Sequence, residues 1–213
     1  MMASHHSRGV IAVSDTAMSR PRRLVIAVAA VLIAASVGAG FVLSHSADAT
    51  GAPNDGGGLG DAGALIVRRI ALADPVARSK WLNGTPIDDP HREEVVIDDA
   101  VRRATEQGTD TALVERVFRA QIEASKTVQR GLIEEWTQHP DAAPTAAPDL
   151  GAVRSELDEI GGSLVAALHD AASVAEGPEC PSIVAAERES DTAGLDALHR
   201  TAVETAWQTF CAE

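Results

Sequence analysis

Residues 69–92, RIALADPVARSKWLNGTPIDDPHR, decide how this chain is read. Arg69 and Lys80 stand eleven residues apart, about three helical turns, and so nearly share one face. Ala62, Leu65, Ile66, Ala73 and Val76 form an i, i+3, i+4, i+7 series, and both cations fall on that apolar stripe rather than opposite it. A cation on a buried stripe needs an anion. After a turn-rich break at residues 83–90 (NGTPIDDP), Asp89 and Arg92 follow at helical i, i+3 spacing.

Working outward, the helical period starts at Asp61 and runs to about Trp81, with a kink or split expected where Asp74 and Pro75 can act as N-cap and first helical residue. Asp89-Pro90 opens a second helix that Gly108 stops. A third runs from about Thr111 to His139 with the stripe Val114, Val117, Phe118, Ile122, Val128, Leu132 and Trp136. Gln121, Ser125 and Gln129 stand on or beside that stripe, four apart. Polar groups there either join a core network or line a pocket, because burying them unpartnered is costly. A Pro/Ala connector (140–148) leads to Asp149, which caps a fourth helix with the stripe Leu150, Val153, Leu157, Ile160, Leu164 and Leu168 and with Arg154 at its edge. Gly161-Gly162 marks close packing or a bend. A short helical segment at 180–189 and an amphipathic helix at 192–211 complete the chain. The class is therefore all-α, a single helical-bundle domain of about six helices, with no convincing strand and no internal repeat.

The first part of the chain carries an export signal. Arg-rich residues 18–23 (MSRPRR) precede an apolar run at 24–43, and Ala47 and Ala49 supply the small residues of a cleavage site. Twenty apolar residues also suffice to span a bilayer, so the segment is either cleaved after about Ala49 or kept as an anchor, and both outcomes place the domain outside the cytoplasm. Residues 50–60 (TGAPNDGGGLG) read as a flexible linker and 61–213 as the domain. Cys180 and Cys211 both lie in the exported part, and an even count in an oxidising compartment implies one disulfide; neither has His or Cys neighbours at metal-ligand spacing. The whole chain has a net charge of −13; residues 50–213 keep 14 Lys and Arg against 29 Asp and Glu, a net −15. That balance argues against nucleic acid or an anionic membrane surface as partner.

Against this acidic background, four cations (Arg69, Lys80, Arg92, Arg154) fall on inward faces beside one carboxylate, Asp89, and two neutral groups, Ser125 and Gln129. Arginine forks bind carboxylates bidentately, so the set suits a small dicarboxylate held in a local pocket. Each member also has a plainer role: Asp89 as N-cap, Ser125 bonded back to Gln121, Gln129 satisfied in the core. His91, His139, His169 and His199 lack metal or catalytic grouping and read as surface residues; Trp81, Trp136 and Trp207 read as core or helix-docking residues.

RxxxADPVAxxKW at 69–81, PIDDxxR at 86–92, VFRAQIEASKxVQ at 117–129 and PDLxxxR at 148–154, followed by the cysteine pair, resemble the exported gamma subclass of the all-helical AroQ-type chorismate mutases over about residues 60–213. The resemblance implies conversion of chorismate to prephenate, one complete pocket per chain and a homodimer. It implies that Arg69 and Arg154 clamp a carboxylate, Arg92 serves the other carboxylate and pocket closure, Asp89 engages the ring hydroxyl with Ser125 assisting, and Lys80 and Gln129 donate to the ether oxygen. No cofactor or metal is expected, since a pericyclic rearrangement needs none. Some relatives carry Glu where this chain has Gln129; Gln donates at any pH, so the rate should be flat from about pH 5 to 8. Lys126 and Val96 stand where relatives carry polar pocket residues, which touches secondary contacts only. A non-catalytic exported domain binding a dicarboxylate, and a purely structural helical anchor whose arginines pair internally, are the competing readings.

Overall fold

In the computed structural model, which describes residues 57–212, each helix begins and ends where a local cause can be named. Seven α-helices are present among these residues: α1 (Gly57–Ala71), α2 (Ala73–Asn83), α3 (Pro90–Gln107), α4 (Thr111–Gln138), α5 (Leu150–Glu176), α6 (Cys180–Asp191) and α7 (Ala197–Trp207), with a 3-10 turn at Pro140–Ala142. They are the expected six with the first one split. The export signal, the anchor alternative at 24–43 and most of the linker lie outside the described residues.

The split falls at Leu72, three residues before Pro75, and Asp74 is not the cap. A proline disturbs the turn preceding it, because its ring meets the carbonyl four residues back and it has no N–H for that carbonyl. At the other end α1 extends to Gly57, inside the Gly-rich stretch read as a linker. The glycine there is a packing device: a Cβ on Gly58 would lie 2.7 Å from Asp170 Cβ on α5, so only glycine allows this approach, and Leu59 beside it is buried. The last helix is shorter than its sequence stripe. Gly194 turns the chain at φ +78°, and Asp196 then caps α7 by accepting the His199 N–H at 3.0 Å.

The other caps follow the sequence. Asp89 accepts the Arg92 N–H at 3.0 Å while its own N–H donates to Glu93 Oε1 at 3.0 Å, two helix-start donors satisfied reciprocally. Gly108, at φ +70°, closes α3, and Asp149 accepts from Gly151 and Ala152 to open α5. Gly161 does not interrupt α5, which is continuous for 27 residues.

The helix α4 lies at the centre, with α7 on one side and α2 and α3 on the other, while α1 packs along α5. Ile66 and Ile70 of α1, Val114, Val117 and Phe118 of α4, Leu164 and Leu168 of α5, and Val203 and Trp207 of α7 share one buried cluster. Each such side chain contributes about 1.5–3 kcal/mol on burial. Trp207 meets Phe210 edge to face at 5.2 Å between ring centroids, and Trp81 meets Trp136 likewise at 5.9 Å, so all three tryptophans dock helices. Cys180 and Cys211 form the disulfide, with Cα atoms 5.8 Å apart. No described helix is long and apolar enough to cross a membrane.

Candidate active site

The apolar stripe of α1 delivers Arg69 to the corner between α1, α4 and α5. There its guanidinium lies over the Phe118 ring, 5.2 Å from the centroid, and Nη1 donates to the Leu157 carbonyl of α5 at 3.1 Å. A Cβ on Gly161, in the fourth turn of α5, would stand 3.6 Å from Nη1, an ordinary contact distance, so the arginine lies against this stretch of α5. Nε is buried with no hydrogen-bond partner, and no carboxylate among the described residues lies within ion-pair distance. Burial pushes the Arg69 guanidinium down to about 10, with only the field of Asp158 acting against it. The internally paired arginines of a structural anchor are not what this corner holds.

On α2, one face over, Lys80 donates from Nζ to the carbonyls of Pro86 and Ile87 at 2.8 and 2.7 Å. Two of the three ammonium protons are thereby used on the turn, which fixes the direction of the third. Burial lowers the Lys80 pKa, the carboxylates of Asp89, Asp88 and Glu93 draw it back up, and Lys126 pushes it down. Lys80 and Asp89 therefore share one electrostatic neighbourhood. Asp89 is the N-cap of α3 and stays exposed, so capping and a ligand contact are compatible. Arg92, one turn later, uses its main-chain N–H on Asp89 while its side chain is exposed.

Along α4, Phe118, Gln121, Ser125 and Gln129 succeed one another at steps of three, four and four, so the ring beneath Arg69 and the polar groups share one face. Gln129 Nε2 donates to Ser125 Oγ at 3.0 Å, and Gln129 Oε1 has no partner. Gln121 is 2% exposed and neither amide atom is hydrogen-bonded. Neither plainer expectation holds for this pair: Ser125 bonds forward to Gln129 rather than back to Gln121, and Gln129 is only half satisfied. Arg154 is exposed on α5, one turn before Leu157, whose carbonyl receives Arg69; it makes no hydrogen bond or ion pair among the described residues.

The structure thus joins Ser125 to Gln129 directly, Lys80 to Asp89 through their fields, and Arg69 to α4 through Phe118. The side chains of Arg92 and Arg154 are exposed and touch none of the others, Arg92 being tied to Asp89 through its main-chain N–H alone. The sequence places Phe118 on the apolar stripe of α4 and marks Gly161 for close packing or a bend, but that Phe118 and the Leu157 carbonyl support Arg69 appears only in the structure. Sequence reading took His199 for a surface residue, whereas the ring bridges Asp196 and Asp74 at 2.7 and 2.9 Å. A separate cleft of about 310 Å³, lined by Arg78, Trp136, Ala142, Pro144, Thr145 and Ala146, contains none of these residues.

What the arrangement can do chemically is bind anions with fixed donors. The described residues hold no group of three or more metal-ligating side chains. Comparison with known proteins agrees with this chemistry. Residues 63–130 match the family model described as chorismate mutase type II. The chain is 37% identical over 146 residues to a secreted chorismate mutase of Mycolicibacterium smegmatis, covering 68% of this chain and 81% of that one. It is 32% identical over 145 residues to a secreted chorismate mutase of Mycobacterium tuberculosis, covering 67% and 73%. Among solved structures, the chorismate mutase of Burkholderia phymatum superposes with a TM-score of 0.70 at 31% identity, over 75% of this chain and 99% of that one.

Proposed function

This chain belongs to the chorismate mutase type II family; it is an exported chorismate mutase, and we propose that it rearranges chorismate with the seven side chains Arg69, Lys80, Asp89, Arg92, Ser125, Gln129 and Arg154. In the reaction the ether C–O bond breaks as a C–C bond forms within the same molecule. No proton or electron passes to the protein, so a site without nucleophile or general base suits it. The protein's task is to hold the reactive conformer and to stabilise negative charge growing on the ether oxygen.

In this reading Arg69 and Arg154 clamp one carboxylate of chorismate, and Arg92 serves the other and closes the site. Asp89 engages the ring hydroxyl with Ser125 beside it. Lys80 offers the proton left free by Pro86 and Ile87, and Gln129 offers its second amide N–H, to the ether oxygen. Both donors are held by the protein before substrate arrives, so little reorganisation is needed as charge develops. The observation that carries the reading is Arg69, a half-buried cation with an enclosed Nε, a main-chain carbonyl and an aromatic face for company and no carboxylate. A bound carboxylate would relieve its desolvation. A homodimer, with membrane attachment only if residues 24–43 are retained, completes the proposal, and light scattering on the purified chain measures the oligomer.

The direct test follows chorismate loss and prephenate formation by the oxidised chain beside Arg154→Ala. Because Arg154 is exposed and unpaired, the variant should keep its far-UV spectrum and melting midpoint while turnover falls by roughly 10²–10³-fold. Well-folded wild-type protein that leaves chorismate untouched would sink the enzyme reading.

A further inference from the structure

Resting on the site proposed above, we infer that Lys126 is a positioning residue that sets the turn bearing Asp89 and Arg92 before substrate arrives. Lys126 follows Ser125 on α4 and is 8% exposed. Its Nζ lies 2.7 Å from Glu93 Oε2, 2.9 Å from Glu123 Oε1 and 3.3 Å from Asp88 Oδ1. Glu123 belongs to α4 itself and holds the amine in place. Asp88 and Glu93 belong to the turn and to the first turn of α3, so they are what the amine holds.

From there the grip reaches the backbone. Glu93 turns its other oxygen, Oε1, to the Asp89 N–H at 3.0 Å, and Asp89 Oδ1 accepts the Arg92 N–H at 3.0 Å. A continuous line of charge-assisted contacts therefore runs from α4 through Glu93 to the main chain of two proposed substrate-binding residues. Arg130, one helical turn after Lys126, binds Asp88 Oδ1 at 2.9 Å, and Lys80 holds the Pro86 and Ile87 carbonyls from the other side.

The turn has little else to hold it. Between Gly84 and Pro90 only Ile87 is half-buried, and the rest are exposed. Exposed ion pairs contribute little, but this ammonium is largely shielded from water. Burial opposes its charge, yet Glu93, Glu123 and Asp88 together raise its pKa and keep it protonated. Arg69 reaches α4 from α1 and Lys126 belongs to α4 itself; the first is left for a ligand and the second is committed to the protein.

The test compares wild-type chain with Lys126→Met, Lys126→Arg, Glu93→Gln and Lys80→Met. Measured on each are chorismate turnover, melting midpoint and hydrogen exchange at the Asp89 amide. Lys126→Met is expected to lower kcat/KM by about ten- to a hundredfold, mainly through KM, because substrate must then order the turn. The Asp89 amide should exchange faster, Glu93→Gln should move KM the same way, and Lys126→Arg should recover most of the loss. A lowered melting midpoint with KM and Asp89 exchange unchanged in both Lys126→Met and Glu93→Gln would overturn the positioning role. Inactive Lys80→Met beside those two active variants would overturn that role alone and leave the site reading standing. Wild-type protein inert toward chorismate would remove both.

Discussion

The two sides of α4 treat their polar groups in opposite ways. Toward the C-terminal helices they are paired. Trp207 Nε1 donates to Asp191 at 2.9 Å, His199 uses both ring nitrogens, and Arg116 on α4 donates to the carbonyls of Thr209 and Phe210 while Thr209 Oγ1 donates back to the Arg116 carbonyl. Toward α1, α2 and α5, Gln121 keeps both amide atoms unpaired, as do Gln129 Oε1 and Arg69 Nε. No buried side-chain atom without a partner lies on described residues of α6 or α7. One side is finished as scaffold, and the other is finished only when something binds. Damage to the first should therefore cost stability, and damage to the second should cost turnover.

The strongest test of that division is Arg69→Met, which keeps much of the packing on Phe118 and removes the charge. Turnover should fall roughly 10²–10³-fold, while the urea midpoint holds or rises because a desolvated cation without a carboxylate has been removed. Equal losses of stability and rate would break the comparison. On the paired side, replacing Cys180 and Cys211 together by Ala should lower unfolding free energy by about 3–4 kcal/mol in the chain-entropy model, and kcat/KM measured in the cold should persist, since α6 and α7 carry none of the seven proposed residues.

Smaller effects come from pH. With Gln129 as donor the rate should stay level from about pH 5 to 8. It should then decline toward about pH 10 as Lys80 and Arg69, both lowered by burial, lose their protons. A steep drop just above pH 5 would mean that a protonated carboxylate is doing Gln129's task. The smallest effect belongs to His199. Burial works against its charge, but Asp196 and Asp74 on either side raise its pKa above the usual 6.5. Its contribution is then whole below about pH 6.5 and fades as pH rises through the folded-state pKa. Urea midpoints of wild type and His199→Gln should differ more at pH 5.5 than at pH 8.5, with turnover alike at both.

Much of this was legible in the residues because it is local. Asp89-Pro90, Gly108 and Asp149 mark helix ends through contacts spanning a few positions, and the placement of Arg69 and Lys80 on an apolar stripe follows from period alone. What escaped depends on what lies across a gap. Whether Gly58 is linker or close contact is decided by Asp170 on α5, more than a hundred residues away. His199 looks like a surface histidine until α2 brings Asp74 beside it. Lys126 and Arg69 are both cations near one helix, and only the arrangement of Glu93, Glu123 and Asp88 tells the saturated one from the open one. The split lies two residues ahead of the expected cap, Asp74, because the proline's effect on the turn preceding it prevails over its preference for a helix start.

The docking of α7 has a consequence for how the core closes. Ala202, Val203, Ala206 and Trp207 fill one flank of α4, Leu198 lies over Gly131, and the Ala212 N–H reaches back to the Ala175 carbonyl. That flank stays bare until α7 docks, so the core closes only when residues 197–212 are in place. The Cys180–Cys211 disulfide ties the segment that follows α7 to the start of α6, so oxidation in an exported protein also holds that flank shut.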